Sequence, residues 1–293
     1  MNKIAPILLG LSLAVAGSSI AAAQQTASIP KVLQITREFT KPYKGGALHD
    51  KTEGAFIAAM TKAKFPAYYL GLDSLTGKAR ALFLTEYDSF ADWEKDNKLV
   101  DKNPTLSGEL ERASVADGEL LDEVDSGVFT RDDDLSYKPH ADISHARYME
   151  ISEFHVRAGH QKDWHKIAKI VKDAHDKAGT HAHWAMFEVA YGAPDGTFLA
   201  LSADDSMADI DTGYAEDKKF RDALGEDGMK ELDRLFADTV DSSDSQLFAV
   251  NPKQSYVDPE WIKAEPGFWS PKPAAKPAAA AAKPAAAPAM KTP

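Results

Sequence analysis

Short segments rich in hydrophobic residues alternate along this chain with stretches of helical periodicity. Between Gln161 and Ala178 the apolar residues fall three and four positions apart, which predicts an amphipathic helix that stops at Gly179. Runs of β-branched and aromatic residues around it predict strands at 148–156, 184–190 and 197–202. The first half shows the same order, with strands predicted at 32–39, 68–72 and 79–85 and a helix before Pro66.

Several short segments occur twice in the same order, which indicates an internal duplication. The sequence DSFAD at 88–92 returns as DSMAD at 205–209, and VDS at 124–126 returns at 240–242. Each copy therefore predicts β-α-β-β-α-β, the ferredoxin-like order of an α+β fold. We assign copy one to residues 24–140 and copy two to residues 141–262.

The repeated serine of each DS pair predicts the start of a second helix. Ser89 and Ser206 are each followed three residues later by an aspartate, the spacing of a capping box. The pattern predicts helical regions that extend to Val124 in copy one and to Val240 in copy two. A last strand is predicted around Phe129 and around Phe248.

Two segments carry a resemblance to a known family. Residues 87–94 (YDSFADWE) and 154–164 (FHVRAGHQKDW) resemble the dimeric α+β barrel superfamily, in particular its NIPSNAP-like and antibiotic-biosynthesis-monooxygenase-like members. The resemblance implies two ferredoxin-like modules packed as an intrachain pseudo-dimeric α+β barrel, each covering the open sheet face of the other. It also implies either cofactor-free oxidation of phenolic substrates or heme binding through a histidine. Copy one departs from the pattern, with KPYKGG at 41–46 where copy two has RAG at 157–159.

The two ends differ in composition from the duplicated part. Residues 1–23 have a lysine, an apolar run and an Ala-Ala-Ala close, which predicts a cleaved secretory signal peptide and a periplasmic or secreted protein. No cysteine is present, so disulfides, thiolate metal sites and a lipid-modified cysteine are excluded. Residues 263–293 are assigned to a disordered tail, because Pro, Ala and Lys dominate its sequence.

The duplicated part is strongly acidic. Residues 1–23 and 270–293 contain five of the 34 basic residues and none of the 45 acidic residues, which leaves residues 24–269 with 29 basic residues and a net charge of −16. Such a body repels phosphate backbones and anionic lipids. We therefore expect no nucleic-acid partner, and no membrane span once the signal peptide is removed.

Eight of the nine histidines lie between His140 and His183, so copy two is the predicted place for a site. His181 and His183 share one face of a strand, and His155 adds a third imidazole for a metal such as zinc or copper. The ligand-binding candidates are Tyr148, His155, Trp164, His183 and Trp184. We expect no cofactor, with heme or a divalent metal as alternatives.

Three functions remain open at this stage. The first is an exported protein that binds a small organic molecule in copy two, as a monomeric pseudo-dimer or a homo-oligomer. The second is an oxidoreductase, either a cofactor-free monooxygenase or a heme- or metal-dependent enzyme that uses the copy-two histidines. The third is a non-enzymatic cell-envelope module whose tail provides reach. The residues do not decide whether the protein is an enzyme, and no catalytic residue is assigned.

Overall fold

The computed structural model describes residues 29–140 and 142–270. Two modules share one element order, and short helices follow the second. Module one comprises β1 (Val32–Thr40), α1 (Ala47–Ala63), β2 (Tyr69–Ser74), β3 (Arg80–Tyr87), α2 (Phe90–Asp101), α3 (Pro104–Gly118) and β4 (Leu121–Tyr137). Module two comprises β5 (Tyr148–Val156), α4 (Gln161–Ala178), β6 (Trp184–Tyr191), β7 (Thr197–Asp204), α5 (Met207–Thr239) and β8 (Val240–Val250). The terminal helices are α6 (Pro259–Ala264) and α7 (Pro266–Trp269).

All eight strands form one closed antiparallel barrel in the order β1-β3-β2-β8-β5-β7-β6-β4. Each module supplies a four-stranded sheet in which the last strand pairs with the first, as β4 does with β1 and β8 with β5. The two sheets join at their edges, where β4 pairs with β6 and β8 pairs with β2. The α+β pseudo-dimeric barrel is therefore confirmed.

The strands separate an inner core from an outer helical layer. Inside the barrel the two modules pack aliphatic and aromatic side chains together, among them Leu72, Phe129, Met149, Phe187 and Phe248. Outside, α4 and α5 cover the sheet of module two through Trp164, Ile167, Phe198 and Leu235. The outer layer of module one has a smaller apolar cluster, formed by Ala59, Phe65 and Leu106.

Helix boundaries follow the local signals closely. Helix α4 spans Gln161–Ala178 as predicted, and Gly179 ends it in the left-handed conformation at φ 63°. The Ser89 hydroxyl accepts a hydrogen bond from the Asp92 amide, and Ser206 forms a complete capping box with Asp209. Helix α5 is interrupted at Gly225, whose φ of 71° is non-helical.

Two predicted boundaries require correction. Residues 121–124 and Val240, assigned to helices by their apolar spacing, are the first residues of β4 and β8. Residues 263–270, assigned to the tail, belong to the folded body, since the Trp269 side chain is buried and its Nε1 donates to the Ser144 carbonyl at 3.1 Å. The predicted signal peptide and the rest of the tail lie outside the described residues. In 29–140 and 142–270, no helix has the length and apolar character of a membrane span.

Candidate functional site

Two adjoining cavities lie at one end of the barrel. The larger, of about 440 Å³, runs between β2, β3, α2 and the segment before α6. The smaller, of about 170 Å³, is lined by residues of β1, β3, β5, β6 and β7 and by His140 and Ile143. Leu84, Glu86, Ile143 and Trp261 line both cavities, so they form the boundary between the two.

Glu86 is the acidic residue at this boundary. Strand β3 directs every second side chain into the barrel, so Glu86 continues the inward row of Leu82 and Leu84. Glu86 is exposed to the water of the cavity, although many protein atoms lie around its carboxyl group. This desolvation raises the pKa of Glu86 to about 7. The group thus changes protonation near neutral pH.

The rim of the larger cavity is aromatic and acidic. Tyr68, Tyr87 and Trp261 contribute aromatic surface. The charged residues of its lining, besides Glu86, are Asp88, Asp92, Asp96, Asp258 and a single cation, Lys95. A cavity with this lining favours apolar molecules that are neutral or positively charged.

Among the predicted ligand-binding residues, His183 lines the smaller cavity. Its ring stacks on that of His140 with centroids 3.9 Å apart. Nδ1 lies 3.1 Å from the His181 carbonyl oxygen and Nε2 lies 3.0 Å from the Ala203 carbonyl oxygen. Because backbone carbonyls engage both ring nitrogens, a metal or heme ligand at His183 would have to break one of these hydrogen bonds.

The other four predicted residues lie elsewhere. Trp164 is only 3% exposed and packs against Phe154 and Phe198 beneath α4. Trp184 donates from Nε1 to the Leu135 carbonyl at 2.9 Å in the same outer layer. His155 pairs with Thr197 and Glu153, and the half-buried Tyr148 begins β5. The structure therefore does not bring the five residues into one pocket.

The three predicted metal-binding histidines are also separate. The His181 side chain is 81% exposed and its Nδ1 lies 3.0 Å from Glu216 Oε1. Within the described part of the chain, the group of side chains close enough to hold a metal lies in module one instead. It consists of Glu38, His49, Glu53 and Asp117, whose potential ligand atoms all lie within 4.8 Å of one another.

This four-residue cluster, the His49 cluster, joins three elements beneath the helices of module one. Glu38 lies near the end of β1, His49 and Glu53 are one turn apart on α1, and Asp117 is near the end of α3. His49 Nε2 lies 3.0 Å from Glu38 Oε2, 3.4 Å from Asp117 Oδ1 and 3.9 Å from Glu53 Oε1. His49 and Asp117 are 1% exposed and Glu53 is 4% exposed.

Burial and mutual charge shift the titration of this cluster. Burial opposes the charged form of His49, but hydrogen bonds to Asp117 and Glu38 and the charges of Asp117 and Glu53 outweigh it and raise the pKa of His49 to about 10. Burial, together with the charges of Glu38 and Asp117, raises the pKa of Glu53 to about 9. The cluster therefore holds protons that isolated carboxylates would release at neutral pH.

Sequence reasoning missed both Glu86 and the His49 cluster. The histidine count directed attention to copy two and away from His49, the single histidine of copy one. Two signals were present: His49 and Glu53 have the i, i+4 spacing of residues on one helix face, and Glu86 continues the inward alternation of β3. Glu38 and Asp117 approach His49 only through the tertiary fold.

Comparisons with known proteins identify the fold. No protein-family model matches the chain, and no curated protein matches it. An anthrone oxidase-like protein aligns with a TM-score of 0.50 and 12% identity over 80% of this chain and 96% of its own. A proposed monooxygenase from Fusobacterium nucleatum aligns with a TM-score of 0.50 and 11% identity, over 76% and 93%.

A chlorite dismutase variant from Candidatus Nitrospira defluvii aligns with a TM-score of 0.47 and 8% identity, over 82% and 97%. The two alignments at 0.50 extend beyond either module alone, so both modules take part in the likeness. At these identities the likeness concerns the fold and not the chemistry. Together with the closed barrel of two β-α-β-β-α-β modules, it shows that this chain has the fold of the dimeric α+β barrel superfamily, with both halves in one polypeptide.

Proposed function

We propose that this protein is exported and binds a small, largely apolar organic molecule in the two adjoining cavities at the barrel end. The observation that carries the proposal is that the ionisable side chain of Glu86 lines both cavities, beside the apolar Leu84 and Trp261. Export rests on the sequence of residues 1–23. The proposal moves the ligand site from copy two alone to a position between both modules and the C-terminal helices.

The size and lining of the cavities support this proposal. Small-molecule sites generally measure about 300–1,000 Å³ and combine apolar walls with a few polar groups. The larger cavity has about 440 Å³, and Leu70, Leu84 and Val257 are apolar parts of its wall. Glu86 would orient the ligand: it donates a hydrogen bond when protonated and attracts a cation when ionised.

A dye-binding experiment tests the location of the site. The probe is Nile red, a neutral polycyclic dye, added to the chain from Gln24 to Pro293 and followed by fluorescence. We expect saturable binding that weakens about tenfold or more in Trp261→Ala, because removing a buried aromatic contact from a binding site commonly costs that much. The matched control is Trp184→Phe, which alters the outer layer of module two.

Two results would contradict this proposal. Equal affinity in Trp261→Ala and the parent would remove the barrel-end cavities as the site. Loss of affinity in Trp184→Phe, with Trp261→Ala unaffected, would return the site to the outer layer of copy two. Binding of the anionic dye ANS at least as tightly as Nile red would contradict the expected charge preference.

A second candidate function is cofactor-free oxidation at the same site. An enzyme base works best when its pKa lies near the operating pH, and desolvation by the surrounding protein raises the pKa of Glu86 to about 7. The structural neighbours include proteins named as an anthrone oxidase-like protein and a proposed monooxygenase. In this function Glu86 would accept a proton from an acidic C–H or O–H group of an aromatic substrate before reaction with oxygen.

Oxygen uptake distinguishes this function from binding alone. Anthrone is added to the parent protein and to Glu86→Gln in an oxygen electrode. Enzymatic uptake that is reduced at least about a hundredfold in Glu86→Gln is the result expected of an essential base. If the parent protein consumes oxygen no faster than buffer alone, anthrone is not a substrate. If the parent protein and Glu86→Gln consume oxygen equally fast above the buffer rate, Glu86 is not the base.

A further inference from the structure

The His49 cluster is an unusual feature for the interior of a protein. Three carboxyl groups and one imidazole share a space from which water is nearly excluded, and Glu38, the most accessible of them, has a side chain only 14% exposed. Even with His49 positively charged, full ionisation would leave two uncompensated negative charges. Buried charges are costly unless they are paired or coordinate a metal.

The second module shows that the fold does not require polar residues at this place. Glu38 is the seventh residue of β1, and the seventh residue of β5 is Phe154. Phe154 packs on Trp164 of α4 at 5.1 Å between centroids, as Glu38 meets His49 of α1. One turn further along each helix, Glu53 in module one corresponds to the buried Ala168 in module two.

The fourth position follows the same correspondence. Asp117 precedes the first residue of β4 by four positions, and Phe236 precedes the first residue of β8 by four positions. Phe236 packs against Phe154 with centroids 6.3 Å apart. One module therefore fills the space with Phe, Trp, Ala and Phe, whereas the other places Glu, His, Glu and Asp in it.

Within the cluster, Glu53 lies further from His49 than Glu38 and Asp117 do. The Glu53 carboxylate has its shortest contact with a basic group at 3.9 Å, beyond hydrogen-bond range, although its residue is 4% exposed. The hydroxyl of Tyr69 is buried and has no hydrogen-bond partner among the described residues. The Tyr69 ring packs on Phe83 at 5.7 Å between centroids, and the Phe83 ring in turn lies 6.2 Å from that of His49.

We propose that Glu38, His49, Glu53 and Asp117 bind one divalent transition-metal ion, which holds α1 and α3 against β1. An imidazole nitrogen with carboxylate oxygens suits Zn²⁺, Mn²⁺ or Fe²⁺, whereas Ca²⁺ prefers six to eight oxygen ligands. Around a metal with bonds of about 2.1 Å, ligand atoms lie about 3.0–3.4 Å apart. The distances from His49 Nε2 to Glu38 and Asp117 are 3.0 and 3.4 Å, within this range, whereas Glu53 Oε1 at 3.9 Å would have to move inward.

The competing interpretation is a metal-free network in which shared protons join the imidazole and the acids. Its hydrogen bonds would have the same distances, so geometry alone does not separate the two. They differ in the effect of Glu53→Gln. This substitution keeps the shape of the side chain and removes a ligand, whereas a protonated Glu53 in a metal-free network resembles glutamine already.

The test uses the chain from Gln24 to Pro293, produced without a histidine tag and stripped with EDTA. Zn²⁺ and Mn²⁺ are added separately and followed by calorimetry and by the melting temperature. We expect one equivalent of at least one metal to bind and to raise the melting temperature. Glu53→Gln should lower the affinity about tenfold or more, the loss typical when a metal's coordination is impaired.

The matched control is His165→Gln, which removes an exposed histidine from α4 and should leave the metal affinity unchanged. The melting temperature without metal confirms that Glu53→Gln folds, since an isosteric neutral side chain should be at least as stable there as the acid. Absence of saturable binding by the parent protein, or equal affinity in Glu53→Gln, would overturn the proposal. Loss of binding in His181→Gln with retention in Glu53→Gln would place the metal in module two.

Discussion

Trp164 shows how one residue position serves packing in module two. The sequence suggested that Trp164, with Tyr148 and Trp184, lines an apolar cleft that binds a small molecule. The structure places it on the outer face of the sheet, where Phe154 and Phe198 contact its ring at 5.1 and 5.6 Å between centroids. The spacing of apolar residues along a helix does not distinguish an aromatic residue that packs in a core from one that lines a cavity.

Replacing Trp164 by alanine should therefore destabilise the protein without changing ligand binding. The expected loss is about 3–5 kcal/mol in the free energy of unfolding, the usual cost of truncating a buried tryptophan. Urea denaturation measures it, with Tyr214→Ala as a control because that side chain is 80% exposed. A loss within about 0.5 kcal/mol, the range of surface substitutions, would show that Trp164 is not a core residue.

Glu86 provides a pH-dependent signature at the same scale. Its pKa is raised from 4.5 in the unfolded chain to about 7 in the folded protein. Between these values the folded protein retains a proton that the unfolded chain has released, so stability from this group is complete below about pH 4.5 and is lost as the pH rises to about 7. Solvent in the cavity reduces the size of this effect.

Glu86→Gln should consequently gain stability relative to the parent as the pH rises. The urea midpoints of both proteins are measured at about pH 4.5 and about pH 8, and the difference should shift in favour of the variant at the higher pH. A difference that is the same at both pH values would mean that the folded protein does not raise the pKa of Glu86.

At the scale of elements, sequence reasoning succeeded where one element carries its own signals. Helix α4 has a continuous apolar stripe and a terminal glycine, and its predicted bounds are those of the structure. It failed at the start of β4, where Leu121 and Val124 were assigned to a helix. This part of β4 is mostly exposed, without a regular alternation, and its partner is β1, some 85 residues earlier in the chain. A strand that is defined by pairing with such a distant partner is not predicted by the local pattern of hydrophobic residues.

The amino-acid composition of the C-terminal segment did not predict that α6 and α7 pack on the folded body. Trp261, Ile262, Phe268 and Trp269 pack against the inner core, and Glu265 bonds to His145 at 2.7 Å and to Arg147. Proline-rich sequence on both sides of Trp269 suggested a tail. The packing of the buried Trp269 and the partly buried Trp261 on the core, not the proline content, decides where the folded body ends.

Removal of residues 259–293 should open the barrel-end cavities. Trp261 lines both of them, so we expect affinity for Nile red to fall about tenfold or more and the melting temperature to decrease. Deletion of residues 271–293 alone is the matched control and should preserve both quantities. Equal losses in the two deletions would assign the effect to the segment after Ser270, and not to α6 and α7.

For the whole molecule, the decisive feature is the exchange of edges between modules. Each sheet has two edge strands, β4 and β2 in module one, β8 and β6 in module two, and every edge is paired with the other module. The repeat in the sequence predicted two modules and the resemblance implied a barrel. The arrangement of the cavities did not follow, because their walls combine residues from both modules and the C-terminal segment.

This exchange predicts that neither module is stable as a monomer, because unpaired edge strands expose backbone groups that seek another strand. Residues 142–270 alone should form a symmetric dimer in which β8 of each copy pairs with β6 of the other. In the intact chain, however, the segment after β8 contacts module one, where Tyr256 bridges to Tyr69 of β2. Adding residues 24–140 should therefore convert the homodimer into a heterodimer, as measured by light scattering after size-exclusion chromatography. A folded monomer of either module would show that edge pairing is dispensable, and a homodimer that resists exchange would show that the C-terminal contacts do not select the partner.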